Sequence, residues 1–382
     1  IMARICHTNN CPVGVASQKE ELRKRFTGIP EHVVNFFLFV AEEVRTLLAH
    51  LGYKTLNEVI GRADLLKMRE GATLTKTQSL NLDCLTKLPD TRTDRQWLTH
   101  ETVHSNGPVL DDELLADADI QAAIANHGTV TKTITVVNTD RSLGARIAGA
   151  IAQQHGNSGF TGHITLDAHG AVGQSFGAFN LPGITLKLTG EANDYVGKGM
   201  HGGEIIIRPP ANVTFEAAKN VIIGNTCLYG ATGGTMYAAG QAGERFGVRN
   251  SQAKAVIEGA GDHCCEYMTG GVIVVLGRVG RNLGAGMTGG LAYVLDEDDS
   301  FLVKVNPEIV KAQRIQSPVG EAQLKELIQA HCDRTGSQKA QTILANWEAY
   351  LPKFWQVVPP SEKDAPEVNP EASADKLLSS VS

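Results

Sequence analysis

Two cysteines stand five residues apart near the start of the chain, in the run Ile1-Met2-Ala3-Arg4-Ile5-Cys6-His7-Thr8-Asn9-Asn10-Cys11-Pro12-Val13-Gly14-Val15-Ala16. Thiolates close together on a loop that proline and glycine keep from becoming helix are donors suited to an iron-sulfur cluster, whose sulfurs accept bonds from backbone N–H groups. The same spacing serves half of a zinc site, and an unligated cysteine is commonly a small buried hydrophobe. Two thiolates cannot hold a cluster by themselves, so this reading needs another ligand. His7, between the two, can hydrogen-bond near a cluster or simply face water. The remaining cysteines carry less: Cys264 and Cys265 are adjacent and point to different sides, which suits packing better than chelation, while Cys84, Cys227 and Cys332 have no partner nearby in sequence.

Two further stretches imitate a chemical motif. Gly197-Lys198-Gly199-Met200-His201-Gly202 and Gly284-Ala285-Gly286-Met287-Thr288-Gly289 both satisfy G-x-G-x-x-G. That fingerprint binds a pyrophosphate only where the glycines join a strand to a helix N-terminus. Here each is followed by another glycine and a strand-like run, Glu204-Ile205-Ile206-Ile207 or Leu291-Ala292-Tyr293-Val294, so the helix that would receive the phosphate is missing.

The elements behind these motifs follow from glycine. Of the 40 glycines, 31 fall between Gly144 and Gly290, about a fifth of that stretch against a usual ~7%. Short apolar runs follow turns at intervals of roughly twenty residues, beginning near Gly162, Gly183, Gly203, Asn220, Gly234, Lys254, Gly271 and Gly290. Such runs suit a β-solenoid, in which each coil buries its apolar face on the next, although a β-sandwich shares the pattern of short strands and turn signals. The double glycines at 202–203, 233–234, 270–271 and 289–290 favour stacked coils, because tight corners need positive φ and close backbone approach. Upstream, residues 31 to 51 read as a helix with Val33, Phe36, Phe37, Val40, Val44, Leu47 and Leu48 on a broad buried face, stopped by Gly52. A second helix is expected over 56 to 66, a third over 111 to 126, a strand over 130 to 137 and a helix over 142 to 154. After Asp299 the pattern becomes helical through Trp347 and Trp355, and the Pro-, Glu-, Ser- and Asp-rich tail from Pro359 reads as disordered.

Residues 1 to 16 and the glycine repeats together resemble the glutamate synthases. In that family three cysteines in a C-x5-C-x4-C pattern hold a [3Fe-4S] cluster, the last followed by Pro-Val-Gly as Cys11 is here. The resemblance implies that Cys6 and Cys11 are the second and third ligands and that the first falls one position before Ile1, so the sequence reads as the C-terminal piece of a longer chain. It implies a mixed α/β architecture: the end of an FMN-binding (β/α)8 barrel with part of the cluster loop over 1–69, a connecting segment over 70–127, a right-handed parallel β-helix over 128–300, C-terminal helices over 301–358 and a tail over 359–382. The implied reaction moves the amide nitrogen of glutamine onto 2-oxoglutarate to make glutamate, with FMN delivering hydride and the cluster feeding it electrons. Catalytic residues, substrate contacts and most or all of the FMN site would lie outside this sequence, and the piece alone should be inactive. The form of the cluster loop is most like that of the ferredoxin-dependent branch. Ferredoxins are acidic, so the basic residues Lys19, Arg23, Lys24 and Arg25 could steer the donor, although a charged helix face is commonly just solvated. A non-enzymatic β-helix scaffold with ordinary structural thiols is the competing class.

Composition narrows the field from the other side. The 382 residues are 42% hydrophobic and 20% charged, enough for two or more domains with a sizeable core. A net charge of −6 without a dense Lys/Arg block speaks against nucleic-acid or anionic-membrane binding. The longest apolar run, Phe36 to Ala41, is far too short to span a bilayer. Seven cysteines scattered over this length point to a reducing compartment, cytoplasm or, by the resemblance, plastid stroma.

Overall fold

A computed structural model describes residues 11–15, 17–67, 81–88 and 107–372. The chain divides into two compact units, one comprising residues 1–72 and 79–102 and the other residues 73–78 and 103–382.

In the first unit, helix α1 (Glu20–Arg23) is followed by α2 (Pro30–Leu51), the helix expected from the apolar pattern. Pro30 sits in its first turn, where a missing N–H costs nothing. Gly52 ends it in the left-handed region at φ 80°, its N–H reaching the Ala49 carbonyl while the Tyr53 N–H reaches Leu48. The expected burial is not found: Val33, Phe36, Phe37 and Leu47 are exposed, and no residue of α2 is buried. A helix with so broad an apolar face is normally packed against a neighbour, and nothing among the described residues covers this one. The second helix is also corrected, to two single 3₁₀ turns at Leu56–Glu58 and Ala63–Leu65. Glu58 folds back onto the Thr55 N–H in a capping box that completes one turn, and Gly61 at φ 74° breaks the run before the next. A short α3 (Asp83–Thr86) completes the described part.

The second unit is built around one large, mostly parallel sheet. It opens with α4 (Leu110–Ala116) and α5 (Ala118–Asn126), where one helix was expected; Asp117 adopts extended backbone and caps α5 by accepting from the Asp119 and Ile120 N–H groups. Strand β1 (Thr129–Val136) and α6 (Ala145–His155) follow. The eight expected runs become β2 (His163–Val172), β3 (Ile184–Ala192), β4 (Glu204–Arg208), β5 (Val221–Ile223), β6 (Thr235–Ala242), β7 (Lys254–Gly259), β8 (Thr269–Val275) and β9 (Gly289–Leu295). Beyond them lie β10 (Lys311–Arg314), α7 (Pro318–Thr335), α8 (Gln338–Ala345), α9 (Trp347–Tyr350) and β11 (Phe354–Val358). Trp355, expected in a helix, therefore lies in a strand. The sheet order is β1-β2-β3-β4-β6-β7-β8-β9-β11-β10, with β5 pairing β3 and β6. Strands β1 to β9 pair in parallel, and β11 and β10 close the far end antiparallel.

Registers turn the alternating pattern of each strand into columns. Leu166, Leu186, Ile205, Met236, Ala255, Ile273 and Ala292 are paired strand to strand and all buried, and one step of two residues along stand Ala168, Leu188, Ile207, Ala238, Ile257, Val275 and Val294. These side chains form the main core, which α5 and α6 join through Ile120, Ile124, Ile147 and Ile151. On the other face the column Asp167, Lys187, Ile206, Tyr237, Val256, Val274, Tyr293 changes from polar to apolar where α7 and α8 pack, and a second core forms there around Leu324, Ile328, Ala340 and Ile343.

The turns stack as the strands do. Ser175, Tyr195, Thr226, Arg245 and His263 each donate a backbone N–H to the next turn, to Asp194, Asn225, Glu244, Asp262 and Arg281 at 2.7–2.9 Å. All five have positive φ. The tail expected to be disordered is packed as far as it is described: Val368 is buried, and Gln356 Nε2 donates to the Glu367 carbonyl. Among the described residues no helix is long and apolar enough to cross a membrane.

Candidate functional site

Of the two candidate ligands, Cys6 lies outside the described residues, as does His7, and Cys11 lies in the tight turn Cys11–Val15. Its side chain is 2% exposed. The Gly14 N–H donates to the Cys11 carbonyl at 3.1 Å, and Gly14 has φ 81°. A Cβ on Gly14 would stand 2.0 Å from the Leu22 carbonyl oxygen, so only glycine lets this turn close against the end of α1. Arg25 Nη1 reaches the Pro12 carbonyl from the other side at 3.5 Å, and Ser17 Oγ accepts from the Lys19 N–H. The loop is thus held by α1 and the residues flanking it, with one buried thiol at its start. That suits one sulfur ligand of a cluster. Among the described residues no group of three or more His, Cys, Asp or Glu side chains could hold a metal ion.

The basic residues around α1 are exposed, Lys24 pairing with Glu20 at 3.3 Å across one helical turn. An exposed pair of this kind contributes little to stability.

The other cysteines divide by environment. Cys227, Cys264 and Cys265 are fully buried in the main core. Burial pushes the Cys227 thiol up to about 12. Cys264 and Cys265, expected to point to different sides, instead bring their sulfurs to 3.7 Å in a hydrogen bond, which together with burial holds the Cys265 thiol well above its ordinary value. None of the three resembles a reactive thiolate, which needs an electropositive, accessible site. Cys84 is exposed and Cys332 half-buried.

Both G-x-G-x-x-G stretches are stacked turns leading into strands, β4 and β9. Their middle glycines have a packing reason: a Cβ on Gly199 would meet the Phe179 ring at 2.8 Å, and one on Gly286 the Tyr267 ring at 2.3 Å.

One polar constellation had no signal in the sequence. Glu258 on β7, His331 on α7 and Ser337 at the start of α8 are all buried, and Glu258 Oε1 accepts from both His331 Nε2, at 3.3 Å, and Ser337 Oγ. Serine, histidine and glutamate invite comparison with a hydrolytic triad, yet here the hydroxyl is bonded to the carboxylate and not to the imidazole. The cluster instead ties the α7–α8 elbow to the sheet, helped by Thr335 Oγ1 donating to the His331 carbonyl at 2.6 Å.

Comparison with known proteins gives this geometry its context. A family model described as "GXGXG motif" matches residues 111–360, and one described as "Conserved region in glutamate synthase" matches residues 1–54. The chain is 67% identical over 383 residues to ferredoxin-dependent glutamate synthase 2 of Synechocystis, covering 100% of this chain and 25% of that protein. It is 58% identical to the ferredoxin-dependent glutamate synthase of Pyropia yezoensis, over 99% of this chain and 24% of the relative. It is also 58% identical to the chloroplastic/mitochondrial ferredoxin-dependent glutamate synthase 1 of Arabidopsis thaliana, over 97% and 23%. The chain therefore spans about a quarter of the length of the curated relatives it matches.

Proposed function

The chain belongs to the GXGXG-motif family, and from that premise we propose that it is the C-terminal portion of a ferredoxin-dependent glutamate synthase. The observation that carries this reading is 67% identity to such an enzyme over a match that covers the whole chain. The intact protein would make glutamate from glutamine and 2-oxoglutarate with reduced ferredoxin as donor, in the cytoplasm or, in a eukaryotic phototroph, the plastid stroma.

Within that protein the two units have different work. Cys6 and Cys11 would supply two of the thiolate ligands of a [3Fe-4S] cluster, which when bound would supply single electrons to FMN. Gly14 lets the turn that begins at Cys11 close against α1, and Cys11 is buried. Exposed Arg23 and Arg25, next to this loop, give an acidic ferredoxin a favourable approach. The exposed apolar surface of α2 is the part of an FMN-binding barrel that the rest of the protein covers. The parallel sheet with its stacked turns is a right-handed β-helix, a rigid structural body without a cofactor of its own. Its closed columns of apolar side chains and its inert thiols support that role.

The test uses the full-length protein. Cys11→Ser there is expected to remove the iron-sulfur absorbance and ferredoxin-driven glutamate formation together. A variant that keeps the cluster's absorbance would overturn the ligand assignment. Glutamate formation by the 382-residue chain alone would overturn the division of roles.

A further inference from the structure

The large sheet opens beside β3. Strand β4 stays registered with β3 as far as Thr189↔Arg208, and β5 rejoins β3 only at Ala192↔Ile223. Between them the chain leaves the coil as residues 209–219, beginning with Pro209 and Pro210. Gly190 and Glu191 therefore keep their β2 partners, Gly170 and Ala171, and have no registered partner on the other side.

The direction of the Gly190 carbonyl follows from the ladder. The Ile164 N–H donates to the Gly183 carbonyl while Ile164 is registered with Ile184, so odd residues of β3 bond to β2 and even ones to the opposite side. Ala192 keeps that alternation, its carbonyl accepting from the Gly224 N–H at 3.1 Å. Continuing the β3–β4 register gives the Gly190 carbonyl residue 210 as its donor, and proline has no N–H.

The excursion folds back over this gap. Pro209, Pro210, Val213, Phe215 and Ile222 line, with Gly190, a cavity of about 390 Å³. The loop is anchored, with Gln241 Nε2 donating to the Ala218 carbonyl and Asn220 Nδ2 to the Glu216 carbonyl, each at 2.8 Å. Asn220 also lines the cavity; it is 4% exposed, and its Oδ1 accepts from no group among the described residues. Rotating the amide does not hide that oxygen, because the Glu216 carbonyl needs the NH₂ end. Buried acceptors are rarely left without a donor.

The lining thus combines apolar walls with two oxygen acceptors. Glu191 adds a negative charge, and no lysine or arginine is among the lining residues. Such a site repels a dicarboxylate such as 2-oxoglutarate and suits a cation rich in N–H donors on an apolar body. We propose that this cavity binds a small organic cation, a primary ammonium carried on an apolar body of one or two rings.

Calorimetric titration of the full-length protein with 2-phenylethylammonium tests this, with 3-phenylpropionate as the anion of similar shape. The ammonium is expected to bind and the carboxylate to be refused. Asn220→Leu keeps the side-chain volume but removes the buried acceptor, and should weaken binding about tenfold. Pro210→Ala gives residue 210 an N–H for the Gly190 carbonyl, so it should weaken binding without lowering the melting temperature. That variant decides the question if Asn220→Leu does not fold. Glu191→Gln should weaken binding and flatten its dependence on salt. No binding of the ammonium, equal binding of the two probes, or any folded variant of the three that binds as the wild type does would overturn the proposal. The titration contains neither glutamine nor ferredoxin, so its failure leaves the enzymatic reading standing.

Discussion

Asn250 shows how a single side chain replaces backbone pairing where the chain turns a corner. It is fully buried; its Nδ2 donates to the Ala253 and Gly270 carbonyls at 2.9 and 3.2 Å, and its Oδ1 accepts from the Ala253 N–H at 3.1 Å. Asn180 occupies the corresponding corner nearer β1 with weaker bonds, both 3.3 Å, and its Oδ1 accepts from no group among the described residues. Alanine at either position removes a donor from two carbonyls, although that of Ala253 keeps the Val272 N–H, and only Asn250→Ala also strands an N–H. We expect Asn250→Ala to lower stability by about 2–3 kcal/mol and Asn180→Ala by about 1 kcal/mol, the usual scale for unpaired buried polar groups. Denaturant midpoints with unchanged slope would measure both. Equal losses would mean that the Oδ1 bond contributes nothing. Neither asparagine stood out in the sequence, whereas the double glycines beside them did: a Cβ on Gly203 or Gly271 would collide with the very Nδ2 groups that bridge the corner, at 2.5 and 2.7 Å. Glycine was legible because it leaves a backbone signature, and its asparagine partner was not because a side chain's bonds have none.

At the level of elements, the helices before β1 depend on carboxylates whose titrations have opposite sign. Helix α6 begins at Gly144, which offers no capping side chain, and Asp111 from α4 supplies the cap by accepting from the Gly144 and Arg146 N–H groups, each at 2.8 Å. Burial raises its carboxyl above the ordinary 3.8, more than the two backbone bonds lower it. A folded value above the unfolded one contributes stability that is complete below 3.8 and lost as pH rises through the raised value. Asp117 is the reverse: hydrogen bonds from Lys132, then from backbone, hold it below 3.8, so its contribution is present above 3.8 and lost as pH falls through the lowered value. Asp111→Ala should cost about 2–3 kcal/mol at neutral pH, since two buried N–H groups lose their acceptor. Its stability deficit against wild type should grow on acidification, because the mutant lacks a group that gains stability there. Lys132→Gln should show the opposite trend, its deficit shrinking below 3.8, and urea titrations across acid to neutral pH would read both. Parallel profiles for the two variants would refute the assignment. Periodicity located α2, β1 to β9 and α6 because each buries or repeats within a few residues. It missed β10 and β11, whose pairing is set by strands distant in sequence, and it missed Glu258, His331 and Ser337 because contacts spanning 73 and 79 residues leave no local pattern.

Among the described residues, one unit carries complete cores and the other carries none. Residues 107–372 carry both hydrophobic clusters, one inside the turns and strands and one under α7 and α8. In the first unit, Cys11, Gly14 and Ser17 are the buried residues among those described, while α2 leaves Phe36, Phe37, Leu38 and Phe39 at 60–71% exposure. Most helical stability comes from packing an apolar face, and a 22-residue helix with none packed has only propensity and local bonds to hold it. A segment of residues 107–372 is therefore expected to unfold cooperatively on heating, with calorimetric and van't Hoff enthalpies in agreement. Residues 1–88 alone should show no cooperative transition, bind a hydrophobic dye strongly and self-associate, as an uncovered apolar surface of this size does. If residues 1–88 instead melt cooperatively as a dye-silent monomer, α2 has found its cover within the first unit, and the proposal that a larger barrel encloses it loses its physical ground. If residues 107–372 fail to fold, the closed columns of the sheet are insufficient by themselves, and the rigid-body role assigned to them fails with that result.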